Sequence, residues 1–234
     1  AGGSKQDSIR FSGGRGLLFA PGSAASAMTY CIIDGGTSYG VRFEIGINRF
    51  EKCKIINSAA NGIEVIGCRM KFSNCIICEN DNTGLYTGIA TIEINNSIIS
   101  HNSQGGFFLP NASDSLIMIN SNVVYNPLGP GIASIGATLR IKNSIIYYND
   151  VGIGYTGEDV QISFNDIQGW DNSNNNINTE PSFEDSVNFL LSSTSLCIDQ
   201  GDPDIIYNDI CFPPSKGSTR NDMGTYGGPS ASGW

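Results

Sequence analysis

The chain has 234 residues and a formal net charge of −9, and 15% of its residues are charged. Its length suits one large domain or two small ones, and its acidic balance makes nucleic acid and anionic membrane surfaces unexpected partners. The sequence contains no run of about 18 apolar residues, so it predicts no transmembrane span. Isoleucine outnumbers leucine 31 to 10, beside 29 glycines and 24 asparagines, a composition that favours many short strands over helices.

A repeat of about 22 residues runs through the first 170 residues. Cys31, Cys53 and Cys75 are each 22 residues apart. The later members of this column are assigned to Ser97, Asn122, Ser144 and Asp166. A second column consists of glycines that each precede an apolar residue: Gly40, Gly62, Gly84, Gly106, Gly131 and Gly152. Since a short strand cannot bury one face alone, successive repeats should stack as parallel strands ~4.8 Å apart. The spacing therefore predicts an all-β solenoid, a parallel β-helix of about seven coils with three faces, over residues 1–170.

The first coil has no capping element ahead of it in this sequence. Ile9 and Phe11 lie one period before Cys31 and Ile33, so this coil starts near residue 8. An uncovered solenoid end exposes strand edges and core side chains. We therefore expect this end to pack against a neighbouring domain of a longer chain or against another molecule.

Two columns of the repeat carry interpretable side chains. The three cysteines are expected to face inward, where they form either a metal or redox site or, as we favour, a stack of small buried thiols. Because the chain has seven cysteines, at least one is unpaired and disulfides are not its organising device. Asn80, Asn102 and Asn149 share one register, which predicts a hydrogen-bonded asparagine ladder at a sharp turn.

One repeat is longer than the others. The step from Gly106 to the next member of the cysteine column is three residues longer than the preceding steps, which places an insertion between Phe107 and Asn120. We expect the extra residues in the loop 109–114. That loop is either a protruding recognition loop or a tolerated change in turn length.

An outward row two residues after the glycine column combines charged and aromatic side chains. It contains Arg42, Glu64, Tyr86 and Phe108 in successive coils. Aromatic faces with flanking polar groups suit stacking against sugar rings, so we predict that these four residues bind a ligand. The alternatives are an ordinary outer face or a contact surface for a neighbouring domain.

Acid/base candidates are few. The single histidine, His101, shares a register with Glu79 one coil below, which makes the two residues a weak catalytic candidate pair; an exposed surface pair is the commoner situation. Asp81 and Asp150 also share a register, but three coils separate them by about 14 Å, whereas paired glycosidase carboxylates lie about 5–9.5 Å apart. Beyond the weak pair, the catalytic residues are unknown.

The segment 171–234 departs from the repeat and is expected to close the same domain as a loop-rich cap. Asp199, Asp202 and Asp204 are weak candidates for a Ca²⁺ site, although they lack the spacing of an EF-hand loop and turn hydrogen bonds explain them as well. We expect no other cofactor. Cys197 and Cys211 lie in the same segment, and a disulfide between them is expected if the protein is secreted.

Four stretches of this segment carry a resemblance to a known family. They are EPSFED (180–185), NFLL (188–191), SLCIDQGDP (195–203) and RNDMGTYGGP (220–229). Together with the Asn-Ser and Ile-Ile pairs of the coils, they resemble secreted bacterial right-handed parallel β-helix repeat proteins of the pectate-lyase-like superfamily. The resemblance covers about residues 9–229 and implies right-handed winding and an extracellular or cell-surface location.

The resemblance leaves two classes of function open. The favoured expectation is a non-catalytic scaffold or carbohydrate-interacting module of a larger secreted protein, with a polysaccharide or cell-surface glycan as its partner. The alternative is a polysaccharide lyase or glycoside hydrolase of the same fold, since fold does not decide function. Lyases of this family typically need clustered carboxylates for Ca²⁺ and an Arg or Lys base, whereas the row that begins at Arg42 has one acid.

Overall fold

The computed structural model describes residues 1–4, 6–21, 25–44 and 46–233, and this part of the chain forms a right-handed parallel β-solenoid. The described residues contain 22 short strands in three parallel sheets. Each strand pairs with the strand three further along the chain, so every complete coil contributes one strand to each sheet. The predicted all-β solenoid of about seven coils is confirmed.

The three sheets are named by the order in which the chain enters them. Sheet 1 contains β1 (Ile9–Ser12), β4 (Cys31–Gly36), β7 (Lys54–Ser58), β10 (Ile76–Cys78), β13 (Ile98–Ser100), β16 (Asn122–Val124), β19 (Ile145–Tyr147) and β22 (Asp166–Ile167). Sheet 2 contains β2 (Leu17–Phe19), β5 (Tyr39–Phe43), β8 (Asn61–Ile66), β11 (Leu85–Gly88), β14 (Phe107–Leu109), β17 (Ile132–Ile135) and β20 (Ile153–Thr156). Sheet 3 contains β3 (Ser26–Thr29), β6 (Ile47–Glu51), β9 (Arg69–Ser73), β12 (Thr91–Asn95), β15 (Ser115–Ile119), β18 (Thr138–Lys142) and β21 (Val160–Ser163).

Helical structure in the described residues is confined to short 3₁₀ turns. They are Ser173–Asn175, Ile205–Tyr207 and Ala231–Gly233. Within the described part of the chain, a helix of the length and apolar character needed to cross a membrane is not found.

Inward-facing side chains repeat once per coil and fill the interior. Ile33 pairs with Ile55 in sheet 1, so like side chains lie directly above one another. Phe43, Phe50 and Phe72 are fully buried, with ring centroids 5.3 Å apart for the first two and 5.9 Å for the last two. Apolar side chains from all three sheets therefore form one continuous core.

The asparagine ladder is present and has one more member than predicted. Asn80 Nδ2 donates to Asn102 Oδ1 over 2.7 Å, and Asn102 Nδ2 donates to Asn126 Oδ1 over 3.1 Å. Asn126 Nδ2 in turn donates to Asn149 Oδ1 over 2.9 Å. All four side chains are buried, so the ladder satisfies amide groups that water cannot reach.

The three cysteines form a column of buried thiols at one corner of the solenoid. Cys53 Sγ lies 3.3 Å from the carbonyl oxygen of Glu51, and Cys75 Sγ lies 3.4 Å from that of Ser73. Burial raises the pKa of the Cys75 thiol well above its ordinary value, which keeps it protonated. These contacts favour the interpretation of the column as small core side chains.

The later members of this column differ from the prediction by one residue at two coils. The observed column is Cys31, Cys53, Cys75, Ser97, Ser121, Ser144 and Asn165. Ser121 and Asn165 occupy the places assigned to Asn122 and Asp166, so those assignments are wrong. Their side-chain oxygens accept hydrogen bonds from the backbone N–H groups of the coil below, at 3.2 and 2.9 Å, which a residue shifted by one position would not do.

The insertion is divided between two turns. Strand β15 follows β12 by 24 residues, and β17 follows β14 by 25. Two extra residues therefore lie in the loop 110–114, within the predicted region, and the third lies in the turn 127–130. In the first loop, the buried Asp114 carboxylate accepts hydrogen bonds from the backbone N–H groups of Ala90 (2.8 Å) and Asn111 (3.0 Å). The loop is thus tied to the preceding coil.

The C-terminal segment closes one end and then covers the side of the solenoid. Ile177 forms a bridge to Asp166 across the last coil. The remainder runs back along the outer face of sheet 1, where Phe189 and Met223 pack on Ile98 and neighbouring side chains of that sheet. A second, smaller apolar cluster therefore joins this segment to the coils.

Asparagines at one corner of the solenoid hold this segment in place. Asn74 Nδ2 donates to the carbonyl oxygen of Ser230 (3.3 Å), and Asn96 Nδ2 donates to that of Gly227 (2.8 Å). Further along, Asn120 Nδ2 donates to the Asn221 side chain over 3.0 Å. These corner residues have left-handed backbone conformations with φ of 45–52°, which asparagine tolerates better than most residues.

Candidate functional site

The predicted surface row exists as a continuous line on the outer face of sheet 2. Arg42 pairs in register with Glu64, Glu64 with Tyr86, and Tyr86 with Phe108. The residues that follow in the same line are Ala133 and Gly154. The parallel pairing of β5, β8, β11 and β14 thus brings together four side chains that are 22 residues apart in the chain.

The charged end of the row is a fixed network. Arg42 Nη1 lies 3.0 Å from Glu64 Oε2, and Arg42 Nε lies 2.9 Å from Glu44 Oε1. The other oxygen of Glu64 accepts a hydrogen bond from Asn61 Nδ2 over 2.9 Å. The guanidinium is thereby held in one direction while 35% of the Arg42 side chain stays exposed, so it can still meet a ligand.

The aromatic end of the row presents two rings at the surface. The centroids of Tyr86 and Phe108 lie 5.8 Å apart with an interplanar angle of 62°, and both residues are partly exposed. Beyond Phe108 the row continues with the small residues Ala133 and Gly154, and the Pro130 side chain lies beside Gly154. The row therefore combines an ionic anchor, an aromatic pair and a stretch of small residues.

The weak acid/base pair is not joined by an ion pair in the described part of the chain. Glu79 and His101 occupy equivalent corner positions with φ of 57° and 55°. The imidazole of His101 instead stacks on Tyr125, with centroids 5.6 Å apart, and on Phe189 at 6.0 Å. The ring thus belongs to an aromatic stack that supports the C-terminal segment, and its catalytic role stays a prediction.

The three candidate Ca²⁺ ligands have separate protein partners. Asp199 accepts hydrogen bonds from the backbone and hydroxyl of Ser218 (2.9 and 2.8 Å), and Asp202 pairs with Lys142 Nζ at 2.6 Å. Asp204 accepts from the Ile206 backbone at the start of a 3₁₀ turn. Across the described residues, no group of three His, Cys, Asp or Glu side chains is arranged to hold a metal ion. Ca²⁺ binding by these residues stays a prediction.

The expected disulfide between Cys197 and Cys211 is wrong, because both thiols are free. Cys197 is buried between the C-terminal segment and sheet 1, where its Sγ donates to Asp166 Oδ2 over 3.2 Å. Cys211 lies in a partly exposed loop and contacts the carbonyl oxygen of Pro213 at 3.2 Å. The two cysteines are near in sequence, but they pack against different parts of the molecule.

Three buried carboxyl groups lie beneath and within the C-terminal segment. Asp166, Asp209 and Asp222 are each at most 2% exposed. Burial raises the pKa of Asp209 to about 7 and the pKa values of Asp166 and Asp222 to about 6. Asp222 nevertheless accepts hydrogen bonds from the backbone N–H groups of Asp199 (2.9 Å) and Lys216 (2.7 Å), so these carboxyls organise the loops around them.

We expect the protein to be more stable at pH 5 than at pH 7.5. In the folded state the three raised pKa values keep protons bound that the unfolded chain releases near its usual carboxyl pKa of 3.8. The free energy of unfolding therefore decreases as the pH rises from about 4 to 7. One pKa unit corresponds to about 1.4 kcal/mol, and three groups contribute, so we expect a decrease of a few kcal/mol between pH 5 and pH 7.5, measured by chemical denaturation at several pH values.

Two variants test whether a buried carboxyl group causes this dependence of stability on pH. Asp209→Asn should flatten the profile because an amide does not titrate in this range, whereas Asp81→Asn, in an exposed turn, should leave the slope unchanged. A wild-type stability that rises steadily from pH 5 to pH 7.5 would contradict the assignment.

The sequence did not predict a cleft on sheet 1. It has a volume of about 480 Å³ and lies between the uncovered first coils and the edge of the C-terminal segment. Its lining includes Tyr30, Lys52, Lys54, Asn188 and Tyr226. Sequence patterns gave no signal for this sheet 1 cleft, because one of its walls, Asn188 and Tyr226, comes from residues at least 90 positions away from the rest of the lining.

Comparison with known proteins concerns the fold. The crystal structure of pectate lyase Pel9A aligns with a TM-score of 0.46 and 14% sequence identity, covering 92% of this chain and 76% of that chain. No curated protein gives a significant match. Residues 15–168 match the family described as right handed beta helix region. This match spans most of the coils whose three parallel sheets are described above, and the chain therefore belongs to the right-handed β-helix family.

Proposed function

We propose that this chain is a carbohydrate-binding β-helix module and that the outer face of sheet 2 is its binding surface. The observation that carries the proposal is the partly exposed pair of Tyr86 and Phe108, 5.8 Å apart on a sheet face. Aromatic rings at a surface can stack against the apolar faces of sugar rings while neighbouring polar groups bind the hydroxyls.

The surroundings of the pair supply both kinds of contact. Arg42 offers a pre-oriented guanidinium, since its ion pairs with Glu44 and Glu64 already fix its position and little side-chain entropy would be lost on binding. At the other end, Ala133 and Gly154 add no large side chain of their own to the row. An extended glycan could therefore lie across successive strands, over the aromatic pair and beside the arginine.

Removing the aromatic rings is expected to abolish most of the binding. In affinity gel electrophoresis or calorimetry against a panel of acidic and neutral polysaccharides, Tyr86→Ala and Phe108→Ala should each weaken binding by about tenfold or more. The physical reason is that an aromatic side chain at the centre of a contact surface typically contributes about 2 kcal/mol.

A matched variant separates surface stacking from general loss of apolar area. Phe212→Ala removes a ring that is 46% exposed on the C-terminal segment, and its binding should equal that of the wild type. The proposed binding surface on sheet 2 would be contradicted if Tyr86→Ala and Phe108→Ala left binding unchanged, or if Phe212→Ala weakened binding equally.

The same panel of polysaccharides also distinguishes a binding module from an enzyme. Absorbance of unsaturated products would reveal a polysaccharide lyase, and new reducing ends would reveal a hydrolase. Binding without turnover supports the module, whereas turnover that disappears in Glu79→Gln or His101→Gln would support the enzyme and the weak catalytic pair.

The location of the module follows from the proposed ligand. A polysaccharide or cell-surface glycan places the protein outside the cell or at the cell surface, as a scaffold or binding domain. Fractionation of cells that express the full-length gene product tests this placement, and a product confined to the cell interior would contradict it.

A further inference from the structure

The sheet 1 cleft has an apolar floor and polar walls. Its floor is the outward column of Ile32, Lys54, Ile76 and Ile98, which pair in register along β4, β7, β10 and β13. Its volume of about 480 Å³ is typical of clefts that bind small molecules, about 300–1,000 Å³. The two walls are a corner of the solenoid on one side and the edge of the C-terminal segment on the other.

The cleft is defined by where the C-terminal segment stops. That segment is tied to the corner asparagines from Asn74 onward, but the preceding corner positions, Tyr30 and Lys52, are left uncovered and form one wall. The opposite wall is fixed by the Tyr226 hydroxyl, which donates to the carbonyl oxygen of Asn188 over 2.8 Å. The walls are therefore held by contacts that exist without a ligand.

The cleft also concentrates positive charge in an acidic protein. Lys52 Nζ donates to the Tyr30 hydroxyl over 3.0 Å and lies 5.1 Å from that ring's centroid. Among the described residues, neither Lys52 nor Lys54 is in an ion pair with a carboxylate, although nine such pairs are formed elsewhere. The described residues that line the cleft include no Asp or Glu. Two lysines thus line a space to which the described residues contribute no carboxylate.

We infer that the sheet 1 cleft binds a small organic carboxylate with an apolar, ring-containing body. The two ammonium groups would pair with the carboxylate, and the isoleucine floor with the Tyr30 and Tyr226 walls would bury the ring. A neutral sugar would leave the isoleucines in contact with hydroxyls, and a purely inorganic anion would leave them exposed to water. The site lies on a different sheet from the row that contains Tyr86, and it does not depend on the function proposed for that row.

The probe for this inference is 4-hydroxycinnamate, with 4-hydroxycinnamamide as an uncharged analogue of the same shape. In calorimetry and saturation-transfer NMR on the whole chain at low salt, the acid should bind and the amide should bind at least about tenfold more weakly. The double variant Lys52→Gln/Lys54→Gln should lower the affinity for the acid by about tenfold or more and leave the affinity for the amide unchanged. Added salt should weaken binding of the acid to the wild-type protein.

Two further variants keep the test specific. Lys71→Gln removes a lysine from the outer face of sheet 3 and should not change the affinity for the acid. Ile76→Asp places a carboxylate in the floor and should abolish its binding, with circular dichroism as the check on folding. The inference is overturned if the acid does not bind at millimolar concentration, if acid and amide bind equally, or if the double lysine variant binds the acid as the wild type does.

Discussion

Replacing Phe50 by alanine is expected to lower the free energy of unfolding by about 3–5 kcal/mol. The Phe50 side chain is fully buried, and its ring lies edge-on to Phe43 at 5.3 Å and to Phe72 at 5.9 Å. Because each coil packs directly on the next, neighbouring coils cannot move into the cavity without breaking their strand pairing. Urea denaturation followed by circular dichroism measures the loss.

The matched control for Phe50 lies on the same strand. Ile47 is 66% exposed, and Ile47→Ala should change stability by less than about 0.5 kcal/mol. Phe50→Leu, which keeps more of the buried volume, should have an intermediate effect. A Phe50→Ala protein within about 1 kcal/mol of the wild type would show that the aromatic column does not hold the first coils together.

Replacing Asn126 by alanine is expected to cost about 3 kcal/mol or more. Asn126 Oδ1 accepts from the backbone N–H (2.9 Å) and side-chain amide (3.1 Å) of Asn102. Its own amide donates to the carbonyl oxygens of Ile99 and Val124, each at 3.2 Å, and to Asn149 Oδ1 at 2.9 Å. Alanine leaves buried donors on Asn102 and buried acceptors on the neighbouring strands without these partners, and each such group is expensive to bury.

Asn82→Ala is the comparison for the ladder. Asn82 lies in an exposed turn of a neighbouring coil, so its replacement should leave the denaturation midpoint nearly unchanged. If Asn126→Ala and Asn82→Ala unfold at the same urea concentration, the buried asparagine ladder contributes no more than an ordinary turn.

Prediction from the sequence succeeded where one residue type recurs at the coil spacing. The 22-residue step between Cys31, Cys53 and Cys75 is the step of the strand pairing itself, so the columns of core, ladder and surface side chains followed from it. The row from Arg42 to Phe108 was found for the same reason. The ion pair between Arg42 and Glu44 was not predicted, because Glu44 lies outside the repeated positions that the pattern compares.

Prediction was wrong by one residue where the coil length changes. Ser121 and Asn122 are both compatible with a turn beside a strand, and a sequence pattern cannot decide which one faces the coil below. The hydrogen bond from the Ser97 backbone to Ser121 Oγ and the division of the insertion between two turns decide the register. Both are contacts between coils, and they are visible only once the coils are stacked.

The solenoid is predictable from the sequence pattern alone, because its period, its apolar columns and its turn residues are local properties that every coil repeats. Four features became apparent only in the folded chain: the course of the C-terminal segment, the burial of Asp209 and Asp222, the separation of Cys197 from Cys211, and the sheet 1 cleft. This segment has no repeat, so its position depends on single contacts, such as that of Asn96 with Gly227, between residues that are more than 100 positions apart.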